Sequence, residues 1–217
     1  ILYRDGSGLQ RLAKPASNKL LQNTSGGVLS WENVSSDFVK IATAEVTGSV
    51  AATVDIQGCF TSTYDNYQIH FNRLNLDGSS PFGPVFLDDS NAAMTTQYNT
   101  KGHYLNGAYN SDGEGSWNDN GTSGIKLTNG YASYRDSIPT SGIIYLPDPR
   151  STRTPGDGNK TFWWTIMGGQ ASHFWRYDGM GYQAVTAATP YGGIQFKPSA
   201  GDNIKVGFKA TVYGLKT

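Results

Sequence analysis

The sequence predicts an all-β protein: an antiparallel β-sandwich of jelly-roll type over residues 34–217, preceded by a short β-hairpin-repeat shaft segment over residues 1–33. Three observations lead there. Apolar residues recur with a period of two in several stretches, as in a sheet buried on one face. Clusters of Gly, Pro, Asn and Asp break those stretches at short intervals, as turns between short strands do. No stretch sustains a helical period. Strands of this kind bury their apolar faces by packing two sheets together.

The first segment holds two copies of one pattern. In "ILYRDGSGLQRL", Leu2 and Tyr3 precede the turn residues and Leu9 to Leu12 follow them. In "KLLQNTSGGVLSW", Leu20 and Leu21 precede the turn and Val28 to Trp31 follow it. Asp-Gly, Asn and Ser-Gly supply turn chemistry, so each copy reads as a hairpin. A lone hairpin is marginal in water, and repeat units of this size need about three stacked copies. Two copies therefore call for partners from further repeats or from other chains. Leu2, Leu12, Leu20, Leu21, Val28 and Trp31 are the expected shaft contacts.

Beyond Phe38 the alternation is clearer. "SVAATVDI" places Val50, Ala52, Val54 and Ile56 on one face. "YQIHFNRLNL" sets Tyr67, Ile69 and Phe71 against Gln68, His70 and Asn72, leaving His70 on the solvent side. "KTFWWTIM" sets Phe162, Trp164 and Ile166 against Trp163, Thr165 and Met167, so one of the paired tryptophans is expected in the core and the other at a subunit contact. "NIKVGFKATVYG" predicts one continuous strand with Ile204, Val206, Phe208, Ala210 and Val212 inward. The clusters at 77–84, 88–92, 110–124, 147–160 and 198–203 read as turns and loops.

Composition narrows the function. Lys+Arg and Asp+Glu are both 17, for a net charge of +0, so there is neither a basic footprint for nucleic acid nor a polybasic membrane patch. A near-neutral surface suits a member of an assembly. No apolar run approaches the ~18 residues of a membrane-spanning helix, and no signal-peptide pattern is present. The chain starts at Ile1 rather than Met, as a fragment or trimmed product would. Its one cysteine, Cys59, cannot form an intrachain disulfide and reads as a buried, inert thiol.

The leader "ILYRDGSGLQRL…KLLQNTSGGVLSWENV" resembles the strand–turn–strand repeat that precedes C-terminal domains in tailed-bacteriophage fibre proteins, including its Trp-containing junction. "YDNYQIHF", "GGIQFKPSAGDNIKVG" and the terminal "VYGLK" are similar, in the same order, to landmarks of a β-rich module of phage fibres. Residues 77–160 carry no such landmark. The resemblance implies a homotrimeric fibre on the virion surface. Its partners would be other virion proteins and a bacterial surface glycan or envelope component. The alternatives are a capsid-decorating head fibre or a polysaccharide-degrading spike.

No catalytic constellation is legible. His70, His103 and His173 are scattered, no H-E-x-x-H or G-x-S-x-G occurs, and Cys59 lacks metal-type spacing, so neither metal nor cofactor is expected. "NSDGEGSWNDNG" offers Asp112, Glu114 and Asp119, but it misses calcium-loop spacing and reads as a solvated turn. A glycosidase would need two of these carboxylates facing each other. The most suggestive binding stretch is "ASHFWRYDGMGY". Its Trp175, Tyr177 and Tyr182 could stack on sugar faces, with His173, Arg176 and Asp178 fixing hydroxyls or charged groups. Trp117, in the Gly/Asp/Asn cluster, is a second expected contact.

Overall fold

A computed structural model describes residues 1–32, 37–78, 80–108, 111–122, 124–128, 140–152, 160–170, 173–184, 189–198 and 201–215. Among them every regular element is a strand, and all strand pairs are antiparallel. The chain divides into two units, Ile1–Asp37 and Phe38–Thr217.

The first unit is two separate hairpins, β1 (Leu2–Asp5) with β2 (Gly8–Arg11) and β3 (Leu20–Asn23) with β4 (Leu29–Glu32). The second turn closes on Gly27, whose φ of 75° suits a residue without a Cβ and whose N–H donates to Thr24 O at 2.9 Å. Thr24 Oγ1 accepts a further bond from the Val28 N–H at 3.1 Å. Leu2, Leu9, Leu20, Leu21 and Val28 are exposed, while Leu12 and Trp31 are partly buried. The Trp31 indole N–H donates to Ala13 O at 2.5 Å, which ties the second hairpin to the segment after the first.

The second unit holds β5 (Phe38–Glu45), β6 (Val54–Ile56), β7 (Asn66–Leu74), β8 (Phe82–Leu87), β9 (Tyr98–Ala108), β10 (Ser111–Thr122), β11 (Thr140–Pro147), β12 (Lys160–Gln170), β13 (His173–Gln183), β14 (Gly193–Pro198) and β15 (Lys209–Leu215). A large 8-stranded sheet runs β10-β9-β13-β12-β11-β7-β15-β5, and a 3-stranded sheet runs β6-β14-β8. The free edge of β8 is covered by Ile125 and Leu127, whose N–H groups donate to Pro84 O and Phe82 O. Pro84 is tolerated in a fully buried strand because its missing N–H falls at this edge.

Aromatic side chains fill the core. Phe71 on the large sheet meets Phe82 and Phe196 on the small one, each at 6.0 Å between ring centroids, and Phe208 packs on Phe196 at 5.4 Å. Phe86 stacks on Tyr191 at 4.2 Å and receives the edge of Phe162. The buried Tyr98 hydroxyl accepts the Phe86 N–H, so its one polar atom has a partner.

The alternation in β7 and β12 is as the sequence predicts, with Tyr67, Ile69, Phe71, Phe162, Trp164 and Ile166 buried. Two stretches differ. Val50 is exposed, and only Val54 to Ile56 of its stretch form a strand. The continuous strand over 204–212 is broken. Gly207 takes a φ of 95° in a turn, which leaves Val206 exposed, and β15 begins only at Lys209.

The larger correction is at 110–124, where a solvated loop was expected. Residues 111–122 form β10, paired along β9. Glycine in these strands makes room for an aromatic ring on the neighbouring strand rather than for a turn. Trp117 faces Gly102, Trp164 faces Gly179, Phe162 faces Gly181 and Tyr104 faces Gly115, each pair in register. A Cβ built on any of these glycines would lie 2.2–2.6 Å from the facing side chain. The 77–84 cluster likewise contains the start of β8. Its Gly83 lies so close under Ile125 O that no side chain fits there.

Candidate functional site

Strict alternation on β13 divides the expected binding stretch between two faces. Trp175 (9% exposed) and Tyr177 (3%) point into the core, and Trp117 (7%) packs edge-on against Tyr177 at 5.9 Å. These three are therefore core residues and not surface contacts; a strand cannot present consecutive side chains to one face. Arg176, Asp178 and Tyr182 lie on the outer face. His173 is placed in β13, opposite Gln170 and Ala108, but its side chain lies outside the described residues.

The outer face of β9 to β13 carries what the sequence argument did not single out as binding. The register aligns Tyr145, Trp163, Met180, Lys101 and Asn118 in one row across five strands. Trp163 is 46% exposed and Met180 67%, both large for apolar side chains. Tyr145 and Trp163 stack with ring centroids 5.3 Å apart and planes 9° from parallel. The next row is Ile143, Thr165, Asp178, His103 and Ser116. Two adjoining concavities of about 520 and 590 Å³ share Trp163, Met180 and Lys101 in their walls. One extends toward Tyr182 and Asn99, the other toward Asp178 and His103.

The charges on this face are largely paired. Arg176 Nε lies 2.8 Å from Asp178 Oδ2, with a second bond from Nη2 to Oδ1 at 3.3 Å. His103 Nε2 lies 3.8 Å from Glu114 Oε2. Lys101 makes no ion pair among the described residues. Further along the sheet, His70 is half-buried between Phe38 and Tyr213, and partial burial lowers its pKa below the ordinary value.

Glu114 and Asp119, the acidic side chains of β10 among the described residues, do not face each other. They are an odd number of residues apart on one strand and so face opposite sides; Asp119 is held by Lys126 at 3.0 Å. The side chain of Asp112 lies outside the described residues. No group of three His, Cys, Asp or Glu side chains suited to a metal ion occurs among the described residues.

The chain matches no protein-family model, no curated protein and no solved structure. The aromatic row was nonetheless accessible from sequence: alternation in "KTFWWTIM" puts Trp163 opposite the buried Trp164. What one strand cannot reveal is the partner register that brings Tyr145, Met180 and Lys101 beside it.

Proposed function

We propose that this chain belongs to a virion fibre of a tailed bacteriophage and that its C-terminal unit attaches the particle to a host-surface glycan without catalysis. The observation that carries this reading is the stacked Tyr145–Trp163 pair on an open sheet face, bordered by Met180, Lys101 and Asn118. Aromatic rings with free faces and a polar border match the alternating apolar faces and hydroxyl edges of sugars. An open, shallow face suits reversible capture of a long repetitive polymer better than enclosure of a single bond for hydrolysis.

A homotrimer fits the first unit, whose hairpins leave Leu2, Leu9 and Leu20 exposed and would gain apolar burial from neighbouring chains. Three copies of a weak site raise avidity by about 10²–10⁴ when all engage one surface. The finer fold reading, a jelly-roll sandwich, is supported by the way the chain passes repeatedly between sheets: β5, β7, β9 and β15 lie in the large sheet, while β6, β8 and β14 lie in the small one.

Binding of fluorescently labelled protein to bacterial cells, before and after periodate oxidation of their surface sugars, tests the function. Saturable binding that oxidation abolishes supports attachment to glycan. Binding that survives oxidation would move the receptor to an envelope protein, and release of reducing ends from capsule or lipopolysaccharide would make the chain an enzyme. A monomeric mass by light scattering at micromolar protein would remove the trimer.

A further inference from the structure

We infer that the glycan recognised on this face is acidic, with a sugar ring stacked on Trp163 and its carboxylate held by Lys101. The inference rests on the glycan-attachment reading and adds the ligand's charge and its orientation. Tyr145 covers one face of the Trp163 ring. The other side of Trp163 borders the concavities it shares with Met180 and Lys101. Met180 sits between Trp163 and Lys101 in the row, directly opposite each in the register. Two strand spacings separate the ring from the lysine, about 10 Å between backbones, and the flexible lysine stem shortens that reach. A saccharide lying over Met180 thus meets a flat apolar wall at one end and an ammonium at the other.

Charge complementarity selects an anion. Asp178, the acidic group of the adjoining row, is already held by Arg176, and Glu114 lies a further row away beside the His103 imidazole. Lys101 is the cation on this row without one among the described residues. Asn118, facing Lys101 across the β9–β10 register, offers an amide donor and acceptor to ring hydroxyls. A neutral glycan would use the tryptophan and leave the ammonium idle. A uronic or sialic acid uses both.

The test measures binding of glucuronate, galacturonate and N-acetylneuraminate by ligand-observed NMR at low ionic strength, each against its methyl ester. The esters keep the ring and remove the charge. At least one acid is expected to bind about tenfold more tightly than its ester, with the preference shrinking as salt is raised. Lys101→Met should erase the preference while leaving the ester's affinity unchanged. Trp163→Ala should abolish binding of both forms at a temperature where the variant is still fully folded. Equal binding of acids and esters overturns the inference and leaves a neutral-glycan reading standing. Cell binding that survives periodate oxidation overturns both. A Trp163→Ala variant that binds all ligands normally but has a smaller mass by light scattering would reassign the face to contact with a second copy of the chain.

Discussion

The Trp164 indole occupies the space that a side chain on Gly179 would need. The two residues face each other across β12 and β13, and a Cβ on the glycine would come within 2.2 Å of the ring. The ring is also fixed by its N–H, which donates to Leu127 O at 3.1 Å. Gly102 stands in the same relation to Trp117. These pairs let the sheet carry very large side chains on its inner face, since each ring lies over a neighbour without a side chain.

Gly179→Ala and Gly102→Ala should each destabilise the fold by about 1–3 kcal/mol, as overpacking does. Gly107→Ala is the control. It lies in β9 on the exposed side, with nothing within 4 Å of a new Cβ, and should be close to neutral. Urea denaturation followed by tryptophan fluorescence measures all three. Equal midpoints for Gly179→Ala and Gly107→Ala would show that the Trp164–Gly179 packing is not tight.

The same pairs explain which parts of the molecule were legible in sequence. Strands with β-branched or aromatic residues at every second position, β7 and β12, could be read directly because each carries its own apolar face. The β9–β10 hairpin could not. In "SDGEGSWNDNG" the inward positions include Gly115, whose apolar contact is supplied by Tyr104 on the adjacent strand. A rule that scores each residue by its own side chain takes such glycines for turns. The error at the binding stretch had a different cause. Reading "ASHFWRYDGMGY" as one binding stretch groups side chains that period two separates, sending Trp175 and Tyr177 inward and leaving Arg176, Asp178 and Met180 outside.

The neighbouring tryptophans of β12 separate stability from binding. Trp164→Ala removes a buried ring and should cost about 3–5 kcal/mol. Trp163→Ala removes a half-exposed ring stacked only on Tyr145 among the described aromatic pairs, and should cost under about 1.5 kcal/mol. Cell binding should show the reverse order once the proteins are compared at a temperature where both are folded. A Trp163→Ala variant as unstable as Trp164→Ala would mean that the outer ring belongs to the core.

Cys59 is sealed in the core. It is 1% exposed, its thiol donates to Ile56 O at 3.3 Å, and burial pushes its pKa up to about 12. Because the thiolate is the reactive form, a disulfide reagent at pH 8 should modify the native protein only as fast as the chain opens. The measurement compares thiol release in buffer with release in 6 M guanidinium, where reaction should be complete within the dead time. Rapid stoichiometric modification of the native protein would place Cys59 at the surface.

Lys160 should make stability depend on pH in a defined direction. Its side chain is nearly enclosed, with Nζ donating to Pro149 O at 3.0 Å and Thr189 O at 2.6 Å and lying 4.1 Å from the Tyr191 ring centroid. Burial, the largest influence, lowers its pKa from 10.5 to about 8, against the smaller opposing pull of Asp148. Between these values the unfolded chain holds a proton that the folded chain has released, so stability rises with pH through this window. Below pH 8 both states are charged and the cost of enclosing the ammonium is fully present. The neutral amine keeps two N–H donors for its two carbonyl partners, so deprotonation need not break either bond. Lys160→Met lacks the titration and leaves both carbonyls without that donor. The difference in melting temperature between wild type and Lys160→Met should therefore widen in favour of wild type from pH 7.5 to pH 9.5. A difference that stays constant over this range would show that the carbonyls, the Tyr191 ring and Asp148 together hold the ammonium charged, with its pKa not lowered.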